Sequence, residues 1–171
     1  MASTFLDIAG GFSPSVLARK FRGEGEDNSR RPRLRLRAKV AYALSGHAIA
    51  ITDRPADIAH LGQEVLASLG LCLEVFNDGD DAVTITEVGL TGRFDSPRVA
   101  VHEPLLHDNK PWPRILQPGE QVITHLATDL GTHPVLNSLR RCYVSTDKDT
   151  VIHANGGTAL RFYIKQMKKR S

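Results

Sequence analysis

Two short apolar runs joined by a polar turn, between Leu71 and Leu90, constrain the fold of this chain more than any other feature. Apolar and polar residues alternate along each run, which is the side-chain period of a β-strand. The turn, from Asn77 to Asp81, contains the Asn, Asp and Gly residues that tolerate tight backbone turns. The stretch therefore predicts a central hairpin of an antiparallel sheet, with an inward-facing set formed by Leu71, Leu73, Val75, Val83 and Ile85.

Similar short runs separated by turn residues follow along the chain, and roughly seven to nine strands are predicted. This number and spacing are typical of a β-sandwich. A Pro-Gly turn at residues 117–120 separates two of the runs. The last strand is predicted over residues 158–166, after a hairpin turn at residues 155–157, because Leu160, Phe162 and Ile164 alternate with polar residues.

One helix is predicted ahead of the central hairpin, over residues 56–70. Apolar residues recur there at helical spacing, Asp53 or Thr52 can cap the start, and Gly70 is a suitable stop. This helix would pack on the sheet or close one end of it. The residues that set the spacing are Ile58, Leu61, Val65 and Leu69.

A second helical segment is predicted near the N-terminus, where Ser13 can cap and Pro14 suits the first helical position. A flexible linker rich in Gly and charge follows it. The predicted organisation is an arm with its linker over residues 1–32, a sandwich domain over 33–166 and a basic tail over 167–171. The arm either docks on a partner or folds back on its own domain, through Phe12, Val16, Leu17 and Phe21.

The alternation is cleanest between Arg33 and Leu44, where apolar residues occupy one face of a predicted strand and cations begin the other. Cations spaced about 6.6–6.8 Å apart along a strand could follow a phosphate backbone or bind acidic side chains. They could equally protect a sheet edge from unwanted pairing. The cations in question are Arg33, Arg35, Arg37 and Lys39.

Charge is unevenly distributed, although the net charge of the 171 residues is only +3. Residues 1–45 contain nine Lys/Arg and four Asp/Glu, residues 46–160 are net acidic, and residues 161–171 contain five cations and no acid. This bipolar distribution favours contact with an anionic partner or between copies of the chain. The alternative is that the basic ends lie against the acidic middle.

The two cysteines do not predict a disulfide bond. Strand alternation places Cys72 on the face opposite Leu71 and Leu73, whereas Cys142 shares its face with Val144 and points inward. Side chains that point in different directions cannot be bridged without backbone movement. Two free thiols also fit a reducing compartment.

No catalytic or cofactor signature emerges from the remaining residues. One loop contains His102, Glu103, His107 and Asp108, but this spacing is not one used by metal ligands, so no metal site is predicted. Trp112, bracketed by two prolines, is either an anchor for a partner or a cover for an open end of the sandwich. Neither a phosphate loop nor a strained serine elbow is present.

The segment LEVFNDGDDAVTITEVGL followed by PRILQPGEQV resembles a group of small bacterial and prophage proteins with immunoglobulin-like sandwiches. The shared features are a strand ending in Asn-x-Gly, a Val-x-Ile strand ending in Gly-Leu and a Leu-x-Pro-Gly-Glu turn. The resemblance covers about residues 71–164 and implies an interaction module with an Ig-like antiparallel β-sandwich fold. Many of those proteins carry an N-terminal membrane helix, whereas this chain is expected to have a soluble arm and the arginine strand there.

These features predict a non-enzymatic structural or interaction protein, a component of a phage or phage-derived particle, found in the virion or the bacterial cytoplasm. Protein subunits of a larger, oligomeric assembly are the expected partners, without a membrane or a cofactor. No signal peptide is predicted, because the N-terminus lacks a basic region and a long apolar run. The alternative is a nucleic-acid-binding module that uses the cationic strand Arg33–Lys39.

Overall fold

The computed structural model describes residues 32–44, 48–101, 103–126 and 134–170. The chain divides between Arg31 and Pro32, and the unit described here begins at Pro32. This unit is mainly β, and its two antiparallel sheets share one apolar core, which is the arrangement of a β-sandwich. The predicted arm residues Phe12, Val16, Leu17 and Phe21 lie outside the described residues, as does His102.

The first sheet is built from five strands, each antiparallel to its neighbours. In chain order they are β1 (Leu34–Ala43), β2 (Ile49–Thr52), β3 (Gly70–Asn77), β6 (Leu105–Leu106) and β8 (Gln121–His125). Their spatial order is β2-β1-β3-β8-β6. Every second residue of β1, from Leu34 to Val40, is buried, as the alternation predicts.

The second sheet also has five strands, which are β4 (Val83–Thr91), β5 (Arg98–Val101), β7 (Arg114–Leu116), β9 (Arg141–Thr146) and β10 (Val151–Asn155). The spatial order is β10-β9-β4-β5. The short strand β7 occupies the first part of the β4 edge and β5 occupies the second part, so both lie on the side of β4 away from β9. A register shift between Ile85 and Glu87 interrupts the pairing of β4 with β9.

The predicted central hairpin is wrong, although its core residues are right. Strand β3 pairs with β1 and β8, and β4 pairs with strands of the other sheet, so the turn between them crosses from sheet to sheet. Both strands still direct their alternate residues into the shared core, because each sheet has one face turned toward the other. The predicted inward set is confirmed as buried: Leu71, Leu73, Val75, Val83 and Ile85.

Asn77 anchors the crossing between the two sheets. Its side chain is fully buried, and its Nδ2 donates hydrogen bonds to the carbonyl oxygens of Asp81 (2.8 Å) and Leu116 (3.0 Å). Its Oδ1 accepts a hydrogen bond from the amide of Gly79 at 3.0 Å. One side chain thus satisfies three backbone groups at the crossing.

Replacing Asn77 with alanine should lower the free energy of unfolding by about 2 kcal/mol, because three backbone groups lose their partner inside the protein. The exposed Asp81 in the same loop offers a matched control. Asp81→Ala should change stability by less than about 0.5 kcal/mol. Urea unfolding of both variants measures the two values, and equal losses would show that the Asn77 side chain has no special role.

The C-terminal segment is a helix, which overturns the strand predicted over residues 158–166. Helix α2 spans Gly157–Lys168, and its buried face repeats every three or four residues. Leu160 and Ile164 satisfy both a strand and a helix pattern, so the alternation there was ambiguous. The residues at helical spacing that decide for the helix are Ala159, Tyr163 and Met167, all of them buried.

The Asn-Gly-Gly stretch before this helix starts it and does not form a hairpin turn. Asn155 Oδ1 accepts a hydrogen bond from the Gly157 amide at 2.9 Å, and Gly157 has a φ of +62°. Only glycine adopts such an angle at little cost. The helix then packs against β1, β3 and the segment near Pro55.

The inserted helix predicted over residues 56–70 is broken into two short pieces. A 3₁₀ turn covers Pro55–Asp57, and helix α1 covers Gln63–Ala67 after Gly62. Gly70 does not end a helix but begins β3. The predicted turn at residues 117–120 is confirmed, since the Glu120 amide donates to the Gln117 carbonyl at 3.0 Å. A further short 3₁₀ turn covers Leu136–Ser138.

Candidate functional site

The cationic row Arg33–Lys39 lies on the outer face of the first sheet, as the alternation predicts. Arg33, Arg35 and Arg37 are exposed, while Lys39 is half-buried. Strand β3 pairs with one side of β1 along nearly its whole length. On the other side, β2 pairs only with Val40 to Ala43, so β1 has strands on both sides only at its end. In the described part of the chain, no strand pairs with the other side of β1 before Val40.

Two of the four cations are already neutralised by neighbouring carboxylates. Lys39 Nζ lies 2.6 Å from Glu74 Oε1 on the adjacent strand, and Arg35 Nη2 lies 3.2 Å from Asp78 Oδ1. The Arg35 guanidinium also lies over the Phe76 ring, 4.6 Å from its centroid. Within the described residues, ion pairs therefore leave Arg33 and Arg37 as the uncompensated members of the row.

Cys72 is completely buried on the outer face of the first sheet, beside His125 of the neighbouring strand. The Cys72 Sγ lies 3.2 Å from His125 Nδ1, which is a hydrogen-bond distance for sulfur. Burial raises the pKa of the Cys72 thiol to about 12, although Lys39 partly opposes this rise. Cys72 is therefore a buried, protonated thiol, whereas a nucleophilic cysteine is exposed and has a lowered pKa.

Both thiols should be inert to alkylation in the folded protein. Cys142 is buried in the core between the sheets, and burial raises its pKa to about 11. At a pKa of about 12 the thiolate fraction of Cys72 is about a thousandfold below that of a thiol at 9.0. Titration with a thiol reagent at pH 8 should give slow reaction in buffer and two rapid equivalents in urea. Rapid reaction of the folded protein would contradict the burial of both groups.

The outer face of the second sheet carries a denser polar cluster, centred on Tyr143. Its hydroxyl donates to Glu87 Oε1 at 2.7 Å, and the Arg98 guanidinium covers the ring at 4.2 Å from the centroid. Arg98 also forms an ion pair with Glu87 and donates to Ser145 Oγ at 3.2 Å. Burial raises the pKa of Tyr143 to about 12, with Arg98 opposing this rise and Glu87 adding to it. The phenol is therefore a hydrogen-bond donor and not an acid at neutral pH.

A second set of charges continues this cluster towards one end of the sandwich. Asp95 Oδ1 lies 3.0 Å from Arg141 Nη1 and 3.4 Å from His153 Nδ1. Burial lowers the pKa of His153, as do Arg141 and Arg98, whereas Asp95 acts in the opposite direction. The imidazole is therefore held in its neutral form more strongly than in the unfolded chain.

Stability should consequently decrease when the pH falls from about 7.5 to about 5.5. The pKa of His153 is lower in the folded protein than in the unfolded chain, so the unfolded chain takes up the proton first, below about pH 6.5. Burial and His107 lower the pKa of His125, which adds a contribution of the same sign. His153→Gln should show a smaller difference between urea midpoints at the two pH values. An unchanged difference would show that His153 does not titrate with unfolding.

Trp112 is half-buried and packs against the edge of the core. The loop around it is held by ion pairs of Arg114 with Asp108, at 3.3 Å, and with Glu120. A hydrogen bond from the Gln117 amide, together with Lys110 and Arg114, lowers the pKa of Glu120. The Trp112 ring is partly exposed and partly in contact with the core, so it stays a prediction both as an anchor for a partner and as a cover for the sandwich end.

The histidine-rich loop does not assemble a ligand set in the part that is described. His107 and His125 have ring centroids 6.0 Å apart, and Glu103 and Asp108 are exposed. Across the described ranges, no three His, Cys, Asp or Glu side chains are grouped as metal ligands are. None of the helices in those ranges is long and apolar enough to cross a membrane.

At the opposite end of the sandwich from Arg33, a surface hollow of about 700 Å³ is lined by four arginines. The two ends are defined by strand pairing, since Leu34 pairs with Asn77 at one end and Thr91 pairs with Arg141 at the other. Ser138 and Asn155 also line the hollow. The arginines come from three segments of the chain and are Arg93, Arg140, Arg141 and Arg161.

Sequence reasoning missed this hollow, because its residues come from segments far apart in the chain. The adjacent pair Arg140-Arg141 was the one local signal. Arg161 was placed on a strand, where it would share a face with Tyr163. In α2 the two side chains lie on different faces of the helix, since Tyr163 is buried and Arg161 is exposed.

No family model, no curated protein and no solved structure matches this chain at a significant level.

Proposed function

We propose that this chain is a non-enzymatic interaction protein with an Ig-like sandwich, and that it works as a subunit of a larger protein assembly. The observation that carries the proposal is the apolar character of the sheet edges. Strands β2 and β6 lie at the edges of the first sheet, and β7 and β10 lie at edges of the second. Each carries one large exposed apolar side chain, respectively Ile49, Leu105, Ile115 and Val151.

Edge strands present unpaired backbone groups, and monomeric proteins usually protect them with charge, proline or a covering segment. Leu105 is 76% exposed and Ile49 is 56% exposed, so within the described residues these edges combine unpaired backbone groups with apolar surface. Such an edge suits a neighbouring subunit that adds a strand or packs against it. A protein partner therefore fits these edges better than a small ligand does.

The Ig-like part of the proposal is supported by strand order. The order β1-β3-β8-β6 corresponds to strands A, B, E and D of the immunoglobulin sandwich, and β10-β9-β4 corresponds to G, F and C. Strand β5 then takes the place next to C that variable-type domains fill with an additional strand. The phage-derived particle is proposed as the setting because of the sequence resemblance.

The two polar clusters support a non-enzymatic role. Glu87, Arg98 and Tyr143 bond to one another across the second sheet, and Cys72 lies fully covered beside His125. These contacts connect side chains of neighbouring strands, so each cluster contributes to the stability of its sheet.

Sedimentation velocity of the full chain over a range of concentrations tests the proposal. We expect reversible association, and we expect Leu105→Asp or Val151→Asp to weaken it by placing a charge on an edge strand. Leu44→Asp is the matched control, because Leu44 is also exposed but lies in a loop. Changing Phe12, Val16, Leu17 and Phe21 together to serine tests the predicted arm in the same way. A chain that stays monomeric at every concentration would contradict the proposal.

Nucleic acid is the second candidate partner, favoured by the exposure of Arg33, just before β1, and of Arg37 on β1. Because Arg35 and Lys39 are paired with carboxylates, this row offers two uncompensated charges within the described residues. Binding of duplex DNA through it should lose about 1.8 units of salt slope when both arginines are replaced by glutamine. An unchanged slope in that variant would remove the cationic strand as the binding surface.

A further inference from the structure

Helix α2 exposes a cationic stripe on the face that points away from the core. Arg161, Lys165 and Lys168 are spaced four and three residues apart, so they share one face of the helix. The segment from Gly157 to Arg170 contains no Asp or Glu. The opposite face is buried through Ala159, Leu160, Tyr163, Ile164 and Met167.

This stripe is continuous with the arginine hollow described above, because Arg161 belongs to both. The stripe and the hollow together contain six cations, which are Arg93, Arg140, Arg141, Arg161, Lys165 and Lys168. One nearby carboxylate, that of Asp95, contacts Arg141 at 3.0 Å. The surface is therefore strongly positive even after this ion pair is counted.

The guanidinium groups of the hollow are partly held in place by backbone carbonyls. Arg140 Nη1 donates to the carbonyl oxygens of Asn137 and Leu139, at 2.7 and 2.6 Å, and Arg161 Nε donates to that of Gly157 at 3.0 Å. Carbonyl partners orient a guanidinium without cancelling its charge. Such preorganisation lowers the entropic cost of binding an anion.

The shape of this surface selects for an extended anion. Arg161 to Lys168 covers about 10 Å along the helix axis, and the hollow lengthens the surface further. A compact phosphate would use only the hollow, whereas a chain of phosphates can contact both parts. Phe94, 83% exposed, lies beside the hollow, with the Arg93 guanidinium 5.5 Å from its ring centroid. An exposed ring next to cations is a stacking platform for an unpaired base.

We infer that this surface binds single-stranded nucleic acid, with the six cations on the phosphate backbone and Phe94 stacked against a base. The inference goes beyond the proposed function, since it assigns a ligand class to a surface that shares only Asn155 with the edge strands. It also differs from the cationic-strand hypothesis, because Arg33 lies at the opposite end of the sandwich and Arg37 lies beside Glu74, halfway along β1 on the outer face of the first sheet.

Fluorescence anisotropy of the full chain with a labelled single-stranded oligonucleotide tests the inference. With about six phosphate contacts, the logarithm of the binding constant should fall with the logarithm of salt concentration with a slope of about −4. Arg161→Gln combined with Lys165→Gln should reduce the slope by about 1.4 and weaken binding about tenfold. The comparison variant, Arg33→Gln combined with Arg37→Gln, removes the same charge from the competing surface, and it should weaken binding less than the variant of Arg161 and Lys165.

Two further measurements separate nucleic acid from other anions. Phe94→Ala should weaken binding of the single strand severalfold without changing the salt slope, because stacking does not depend on charge. Polyglutamate of similar length should bind more weakly than the oligonucleotide. Thermal unfolding should show that all variants remain folded, since the substituted side chains are exposed.

Four outcomes would overturn the inference. They are no binding of the oligonucleotide at about 50 mM salt, equal losses in the two double variants, a loss confined to the Arg33 and Arg37 variant, and polyglutamate binding as tight as that of the oligonucleotide. Equal losses would indicate a net-charge effect. Tight polyglutamate binding would indicate an acidic protein as the partner.

Discussion

Gly89→Ala is expected to destabilise the protein by about 3 kcal/mol, a large effect for the addition of one methyl group. Gly89 lies in the middle of β4, where it pairs with Ala100 of β5 on one side and Tyr143 of β9 on the other. A Cβ at this position would clash with the Val99 carbonyl oxygen and would lie 2.7 Å from the Tyr143 hydroxyl. A backbone oxygen of a paired strand cannot move without loss of strand pairing, so the strain is not easily relieved.

Gly62→Ala is the matched control for this prediction. Gly62 precedes α1, and a Cβ there would meet no atom within 4 Å. The free energy of unfolding of Gly62→Ala should stay within about 0.5 kcal/mol of the wild-type value. Urea unfolding of both variants gives the comparison. If Gly89→Ala were as stable as Gly62→Ala, the close packing of Tyr143 across β4 would be wrong, together with the cluster that it forms with Glu87.

Tyr163→Ala is the second large effect, with an expected loss of about 3–5 kcal/mol in the free energy of unfolding. Tyr163 is 1% exposed and lies on the inner face of α2, among the residues of the common core. Truncation would leave a cavity between the helix and the sandwich, which the surrounding strands can fill only in part.

The neighbouring Phe162 provides the comparison that separates a helix from a strand. Phe162 is half-buried at the edge of the core in α2, so Phe162→Ala should cost less than Tyr163→Ala. A strand over residues 158–166 would reverse this order, because Phe162 would then point inward with Leu160 and Ile164. Equilibrium unfolding of the two variants therefore tests both the helix and its orientation. A larger loss for Phe162→Ala would contradict the structure of this segment.

Most of the strands could be predicted because the alternation typical of a strand is visible in its own residues. Every second side chain of β1 and β3 is apolar, and one face of each is buried whatever the partner strand is. The same reasoning predicted that Cys142 points into the core, where it is buried. The strand predicted for the C-terminal segment is wrong because Leu160 and Ile164 fit a period of 2 as well as one of 3.6. The local pattern could not distinguish a strand from a helix there.

The partner of each strand could not be predicted, because alternation is the same for a hairpin and for a crossing between sheets. Leu71 to Leu90 has identical inward residues in both arrangements. What separates them is Asn77, whose side chain bonds across the crossing to the carbonyl of Leu116, 39 residues further along the chain. Such a contact exists only once the segment around Leu116 has folded into place.

The candidate sites divide in the same way. The sequence by itself determined a row of cations on one face of β1, a basic C-terminal segment and two thiols on differently directed faces. The tertiary structure alone decided which charges remain available, because Glu74 and Asp78 neutralise two cations of the row while α2 brings Arg161 to the other arginines of the hollow. Charges interact through space over a few ångströms, and the distances between segments are set by the packing of the two sheets and the helix.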